Sequence, residues 1–179
     1  MTRADRVDNE FFELVDARDA HEAAARLFDR VREMLQRILP SAEVHHVGST
    51  ALLGALTKGD LDIQVRVSRE DFDASAESLQ RHFAVLEGGF EPPDGMSFKD
   101  ESTTPELGIH LTVVNSEADV QWVFCEMLAA NALLRAEYDE IKRRHRGRPM
   151  EDYRDAKEDF FAKLRASPQF ESIRRGARA

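Results

Sequence analysis

The sequence predicts an α/β (α+β) fold in which strands and helices alternate and a helical half follows. Residues 19–39 carry apolar side chains at helical spacing, whereas residues 60–67 alternate apolar and polar side chains as a strand does. Residues 116–168 keep a helical pattern that breaks near Asn131 and at Pro149. Alternating strands and helices that give way to helices alone fit a sheet flanked by helices, with a helical bundle closing one side.

The first predicted elements are a long helix and two strands. The helix covers residues 19–39 and ends before Pro40, which has no N–H to continue it. A strand at residues 43–47 leads into a turn, residues 50–56 form a helical turn, and residues 60–67 form the second strand. The polar segment ahead of the long helix begins with a loose tail, and its apolar residues predict a short docking helix: Phe11, Phe12, Leu14 and Val15.

One more helix and one more strand precede the helical half. Ser68 to Asp71 predict the capped start of a helix that ends near His82. Residues 91–105 predict a polar loop of about fifteen residues, a length at which a loop either covers a ligand or is a plain surface excursion. A third strand covers residues 106–114. The predicted helices of the last third are 120–130, 132–145 and 151–166.

Length and composition predict one globular domain. The chain has 179 residues, of which 42% are hydrophobic, and this is enough for a well-formed core. We divide it into an N-terminal segment (1–18), an α/β core (19–115), a C-terminal helical lobe packed on the core (116–168) and a tail (169–179).

The charge and the cysteine count exclude several classes of protein. A net charge of −9 argues against nucleic acid as a partner, because non-specific binding relies on Lys and Arg neutralising phosphates. A single cysteine, Cys125, excludes an intramolecular disulfide framework and zinc-finger spacing. No signal peptide and no apolar run of membrane-spanning length is visible, so we expect a cytoplasmic protein without a membrane partner.

A Gly-Ser turn and an acidic strand are the candidate site. Ten residues separate Ser49 from Asp60, and Asp60 and Asp62 fall on the same side of their strand. Two carboxylates about 7 Å apart suit Mg²⁺ (or Mn²⁺), while Gly48 lets the backbone approach a phosphate and the Ser49 hydroxyl can donate to it. The alternatives are a plain helix N-cap at Ser49 and a solvated face of the strand.

This arrangement resembles the DNA polymerase β-like nucleotidyltransferase superfamily, and more specifically the GrpB family. The family stretch is matched by His46-Val47-Gly48-Ser49-Thr50-Ala51, then Lys58, then Leu61-Asp62-Ile63. Further matches are His110-Leu111-Thr112-Val113-Val114, Trp122, Phe124, Leu128, Tyr138, Lys142, Tyr153, Lys157 and Phe160. The resemblance runs from about residue 43 to residue 164. It departs at Leu53, where the family has Pro, and at Cys125-Glu126, where it often has Arg-Asp.

The resemblance implies a nucleotidyltransferase-like fold, a small mixed sheet flanked by helices, with a nucleoside triphosphate held between sheet and bundle. It implies that Asp60 and Asp62 bind the metal and act in catalysis. The residues it implies for nucleotide binding are Gly48, Ser49, Thr50, Lys58, Lys142, Tyr153 and Lys157. For Tyr153 and for the helical residues Lys142 and Lys157, the alternative is that their side chains only cover the core.

The superfamily site usually includes a third carboxylate from a neighbouring strand, and none stands in mid-strand here. His110 occupies that face, and a neutral imidazole, whose unperturbed pKa is about 6.5, can act as a base at neutral pH. The alternative is a half-buried His that only forms a hydrogen bond with a neighbour. Glu106 can supply the carboxylate only if the strand begins close to the site.

The predicted function is transfer of a nucleoside monophosphate from an Mg-bound triphosphate to an unknown small-molecule or protein acceptor. One alternative is a non-catalytic nucleotide- or phosphometabolite-binding module linked to coenzyme A metabolism, since GrpB-like domains occur fused to dephospho-coenzyme A kinase. The other is a partner-binding protein that retains only the fold. The sequence leaves the oligomeric state open.

Overall fold

Five strands form one mixed sheet in the computed structural model, which describes residues 11–176. The strands are β1 (Glu43–Val47), β2 (Leu61–Val67), β3 (Ala84–Val85), β4 (Gly95–Asp100) and β5 (Leu107–Val113). Their order across the sheet is β1-β2-β5-β4-β3. β2 and β5 are parallel, and every other neighbouring pair is antiparallel. The predicted small mixed sheet is therefore confirmed.

Six helices accompany the sheet. They are α1 (Ala17–Ile38), α2 (Phe72–Gln80), α3 (Gln121–Ala130), α4 (Ala132–His145), α5 (Met150–Arg165) and α6 (Pro168–Gly176). A single 3-10 turn at Ser49–Ala51 follows β1 where the sequence predicts a longer helical turn. Among the helices of residues 11–176, none combines the length and the apolar character needed to cross a membrane.

The alternation in β2 and β5 separates an apolar face from a polar one. The apolar face contains Leu61, Ile63, Val65 and Val67 of β2 with Leu107, Ile109, Leu111 and Val113 of β5, and all are buried against α1 and α2. The opposite face carries Asp62 and Gln64 of β2 beside Gly108 and His110 of β5, paired in register. Because the side-chain period of a strand is two, the same pairing that builds the core brings Asp62 close to His110.

Helix α1 begins and ends for local reasons. The Asp16 side chain accepts a hydrogen bond from the Asp19 amide at 3.1 Å and caps the first turn. The predicted short helix ahead of it is wrong: Phe11 forms an isolated bridge with Pro149, and residues 12–16 are not helical. Phe12 is buried against the ring of Tyr153, so tertiary packing decides the conformation there. The predicted loose tail at residues 1–10 lies outside the described residues.

The predicted loop at 91–105 is also wrong, because it contains β4. This strand pairs with both β5 and β3, and Ser97 and Phe98 are fully buried in it. Met96 and Phe98 pack on the core, so a period of two is present in the sequence. Prolines, acidic residues and hydroxyl residues on both sides of β4 obscure this short apolar pattern. The strand β3 has only two residues, which is too short for any alternating pattern to be recognised in the sequence.

Helices α3–α6 form the helical lobe around a second core. Its members include Leu52 and Ala55 from the loop after β1, together with Val123, Met127, Leu128, Tyr138, Phe160, Leu164 and Phe170. The Asn131 side chain accepts from two backbone amides of α4 and separates α3 from α4. Helix α6 includes residues of the predicted tail, and its Phe170 is fully buried. The division of the chain into parts stays a prediction.

A buried ion pair joins the lobe to the sheet. Arg66 of β2 donates from Nε and from its terminal guanidinium nitrogen to the two oxygens of Asp119, at 2.7 and 2.9 Å. Gln64 donates to the same carboxylate at 3.0 Å and accepts from the backbone amide of Trp122 at 2.8 Å. These bonds fix the start of α3 against the polar face of the sheet.

Candidate functional site

A cavity of about 560 Å³ lies between the polar face of the sheet and the helical lobe. The sheet side includes Asp60, Asp62, Ser97 and His110, and the turn after β1 contributes Gly48 and Ser49. The lobe side includes Val120, Gln121, Phe124, Cys125, Leu128, Tyr138, Lys142, Tyr153, Lys157, Glu158 and Phe161. The cavity therefore has an acidic floor and a largely apolar lobe wall.

Glycines flank the Asp62 carboxylate on both sides. Gly48 has a φ of +77°, and a Cβ added there would lie 2.5 Å from Oδ2 of Asp62. A Cβ added at Gly108 would lie 3.0 Å from Oδ1 of the same carboxylate. The absence of a Cβ at both positions therefore lets the Asp62 carboxylate pack directly against the backbone of the turn and of β5.

The role of Gly48 can be tested with an alanine substitution. We expect Gly48→Ala to weaken metal and nucleotide binding strongly and to destabilise the fold, because the new Cβ collides with Asp62 and the backbone stays at positive φ. Gly54 is a matched control, since its φ is +79° and an added Cβ would meet nothing within 4 Å. Gly54→Ala should lose only the backbone contribution of about 1–2 kcal/mol in urea unfolding and keep ligand binding. Equal losses in both variants would contradict a special role for Gly48.

His110 connects the acidic floor to β4. Its Nε2 lies 3.6 Å from Oδ1 of Asp62, and its Nδ1 lies 3.0 Å from Oγ of Ser97. The Ser97 hydroxyl accepts from the amide of Phe90 at 2.9 Å, so its own proton is available to Nδ1. In that tautomer Nε2 carries the imidazole proton and faces Asp62.

The two carboxylates differ in their pKa shifts. Burial acts to raise the pKa of Asp62, but the hydrogen bond and charge of His110, with the charges of Lys157 and Lys58, lower it below its ordinary value. Burial raises the pKa of Asp60, and this effect outweighs its ion pair with Lys58. Asp62 is therefore the more firmly ionised member of the pair.

Thr50 is the one predicted site residue that does not line the cavity. It is buried, and its hydroxyl donates to the backbone oxygen of Asp60 at 2.8 Å. Since that proton is committed, the contact of 3.0 Å with Nε2 of His46 requires the imidazole to donate. Thr50 holds the Gly-Ser turn against the start of β2, and Glu106, the possible third carboxylate, does not line this cavity either.

The three predicted residues of the lobe occupy different environments. The Lys142 ammonium donates to the backbone oxygen of Leu56 and to Asp139, and burial lowers its pKa to about 8 despite the charge of Asp139. Tyr153 forms a 3.0 Å hydroxyl contact with Tyr138. Lys157 is exposed on α5 at the cavity, and its charge acts on the carboxylates of both Asp60 and Asp62.

Sequence reasoning missed several residues of the cavity. Ser97 was hidden by the wrong loop prediction, although the alternation of Met96 and Phe98 with it was a usable signal. Phe90, Gln121 and the remaining aromatic residues of the lobe reach the cavity only through tertiary packing, for which the sequence pattern gives no signal.

A second cavity, of about 600 Å³, adjoins the first. Both are lined by Lys58 and Asp60. Its remaining charged residues are all acidic: Glu13, Asp16, Asp19 and Glu106. Lys58 and Asp60 therefore lie at the boundary between the two cavities.

The carboxylates of the site suit a hard cation whose coordination is completed by a bound substrate. Within residues 11–176 there is no group of three or more His, Cys, Asp or Glu side chains that could hold a metal ion alone. Mg²⁺ is commonly bound by one or two carboxylates together with substrate phosphates and waters. Asp60 and Asp62, which both line the cavity, meet that description.

Comparisons with known proteins agree with this architecture. A curated UPF0157 protein of Vibrio cholerae is 25% identical over 148 residues, covering 82% of this chain and 78% of that protein. The crystal structure of GrpB from Enterococcus faecalis matches with a TM-score of 0.59 at 16% identity, covering 88% of this chain and 96% of that one.

The fold is also that of larger nucleotidyltransferases. Cid1 poly(U) polymerase in its MgGTP-bound form matches with a TM-score of 0.51 at 18% identity, covering 73% of this chain and 43% of that one. At such identity the likeness shows the fold alone, and it confirms the predicted nucleotidyltransferase-like architecture. The GrpB protein family model matches residues 13–167, most of the chain. This protein therefore belongs to the GrpB family.

Proposed function

We propose that this protein is a metal-dependent nucleotidyltransferase that transfers a nucleoside monophosphate from a triphosphate to an acceptor hydroxyl or amine. The observation that carries the proposal is the Asp62 carboxylate, ionised and flanked by Gly48 and Gly108, beside Asp60 on the floor of a cavity large enough for a nucleotide. The MgGTP-bound state of the structural neighbour Cid1 supports this choice of ligand.

Some residues of the cavity would bind the triphosphate, and others position the residues that bind it. Gly48 and Ser49 offer backbone amides and a hydroxyl to the phosphates, and Lys58 and Lys157 supply positive charge. Lys142 is assigned a positioning role, because its ammonium is already bonded to Leu56 and Asp139. Bound Mg²⁺ (or Mn²⁺) would neutralise phosphate charge and stabilise the attacking and leaving oxygens.

The proposed transfer of the nucleoside monophosphate is an in-line displacement at the α-phosphorus. The acceptor oxygen or nitrogen forms a bond to the α-phosphorus while the bond from that phosphorus to the α,β-bridging oxygen breaks, and pyrophosphate leaves. His110 takes the acceptor proton on Nε2 in its other tautomer, in which Nδ1 donates to Oγ of Ser97 and Nε2 is unprotonated, and the resulting imidazolium faces the Asp62 carboxylate at 3.6 Å. The Ser97 hydroxyl keeps the ring in place.

We propose that the acceptor enters through the second cavity, because Asp60 and Lys58 line both cavities. The acidic lining of that cavity repels polyanions, so it argues for a small-molecule or protein acceptor over nucleic acid. The cytoplasmic location stays a prediction.

One observation favours the non-catalytic alternative. The polar face of β5 presents Gly108, His110 and Thr112, so this strand supplies no third carboxylate to the site. A nucleotide- or phosphometabolite-binding module, including one linked to coenzyme A metabolism, needs only the phosphate-binding turn and the cation. It would bind a triphosphate without releasing pyrophosphate.

Calorimetric titration of ATP, CTP, GTP and UTP, with and without Mg²⁺, is the test of the proposal. We expect Mg²⁺-dependent binding of at least one triphosphate, and slow pyrophosphate release in its presence once an acceptor is supplied. Binding without release under any acceptor would support the binding module instead. Absence of binding to all four would leave a protein that keeps only the fold and binds another partner.

The pKa values of Asp60 and Asp62 shift in opposite directions, and this predicts that metal affinity falls at acidic pH. Because the pKa of Asp60 is raised and that of Asp62 is lowered, metal must displace a proton from Asp60 first as the solution is acidified. We expect Mn²⁺ affinity, measured by electron paramagnetic resonance, to be constant near neutral pH and to fall with pH through the raised pKa of Asp60. Asp60→Asn should bind more weakly and lack this dependence, and an unchanged profile would contradict the assignment.

A further inference from the structure

Gln121 has a hydrogen-bonding group that the protein does not use. It is the first residue of α3 and lines the cavity, and its Oε1 is buried without a hydrogen-bond partner among the described residues. The next residue, Trp122, donates its amide to Gln64, so the start of α3 is fixed against the sheet. A buried acceptor without a donor is unfavourable, and native proteins rarely keep one without a reason.

The cavity that Gln121 lines has an aromatic part that suits a flat, apolar ring. Phe90, Phe124 and Phe161 line the same cavity and form its aromatic part. Cys125, four residues after Gln121 and therefore on the same side of α3, has its Sγ 3.9 Å from the backbone oxygen of Gly48. Gln121 is thus about 6 Å further along the helix axis than the residue that contacts the phosphate-binding turn.

This direction matches the shape of a nucleotide. With its phosphates at Gly48 and Ser49, a nucleotide that follows α3 away from the turn passes Phe124 and brings its base to Gln121. The aromatic side chains are then available to contact the faces of the base. A rotation of the Gln121 side chain, whose Oε1 is buried in this structure, brings the amide to the edge of the base.

We propose that Gln121 is the base-reading residue of this site and that the preferred base is adenine. The proposal rests on the proposed nucleotide-binding function. A side-chain amide presents one donor and one acceptor, and Gln pairs in this bidentate way with the N6 amino group and N7 of adenine. The edge of guanine suits Arg or Lys instead, and the lysines of this cavity are assigned to the phosphates or to Leu56.

The test compares base discrimination with phosphate binding. Affinities of the Mg²⁺ complexes of ATP, CTP, GTP, UTP and inorganic tripolyphosphate are measured by calorimetry for the full chain and for Gln121→Leu. We expect ATP to bind best, and Gln121→Leu to lose about tenfold to a hundredfold in ATP affinity while tripolyphosphate affinity is unchanged. Gln36→Leu, on the exposed surface of α1, is the control for a Gln-to-Leu change and should keep the preference.

A second variant tests whether the base preference changes, and not only whether nucleotide affinity is lost. Gln121→Glu can accept but not donate, so the ratio of CTP to ATP affinity should rise, because a carboxylate accepts from the N4 amino group of cytosine. An equal effect of Gln121→Leu on all four nucleotides, or none, would overturn the base-reading role. A preference for another base in the unsubstituted protein would overturn the choice of adenine. Failure to bind tripolyphosphate or any nucleotide would refute the proposed function itself.

Discussion

Asp62→Asn should abolish Mg²⁺-dependent nucleotide binding, with a loss of affinity of at least about a hundredfold, and leave the protein folded. Substitutions in the outer shell of a metal site already lower affinity by about 10- to 100-fold, so removal of a direct ligand should do more. Asn has nearly the same shape as Asp and adds no heavy atoms between Gly48 and Gly108, so the change removes the charge with little steric disturbance. His110 also loses the carboxylate that its imidazolium would face.

Two measurements separate this effect from unfolding or from a general loss of charge. Urea unfolding of Asp62→Asn should show a cooperative transition like that of the unsubstituted protein. Asp73→Asn, on the exposed face of α2, removes the same charge away from the cavity and should leave binding unchanged. Retention of Mg²⁺-dependent binding within about threefold in Asp62→Asn would remove Asp62 from the metal site and with it the main support for the enzyme.

The centre of the site could be predicted because its residues are ordered by local rules. Gly48 and Ser49 follow directly after β1, and the side-chain alternation of β2 places Asp62 away from the apolar face, with Asp60 just before the strand. His110 was found in the same way from the alternation in β5. These inferences need only a strand and a side-chain period, and neither depends on which strands are neighbours.

The residues that were missed or differently placed depend on long-range packing. Lys142 is bonded to the backbone of Leu56, 86 positions earlier, and no periodicity in α4 indicates that partner. Gln121 enters the cavity because Gln64 and Arg66 fix the start of α3 to the sheet. The sheet order is a further example, since β5 lies between β2 and β4 and the sequence places β4 before it.

The same long-range packing gives the largest expected effect on stability. Asp119→Ala should lower the free energy of unfolding by about 3–5 kcal/mol, because it leaves the buried guanidinium of Arg66 without its main counter-charge. The Nε2 group of Gln64 and the amide of Asn115 lose the same acceptor. Urea unfolding measures the loss. Glu77→Ala, which removes an exposed ion pair with Arg81, should change stability by about 1 kcal/mol or less.

A double variant distinguishes an unpaired charge from a lost contact. If the penalty of Asp119→Ala comes from the uncompensated charge, Arg66→Met combined with Asp119→Leu should recover most of it, since apolar side chains of similar volume often replace a buried pair without loss. A double variant as unstable as Asp119→Ala would instead assign the effect to the bonds that Gln64 and Asn115 form with the carboxylate. In either case nucleotide binding should be affected as well, because the ion pair fixes the start of α3, and α3 carries Gln121 to the cavity.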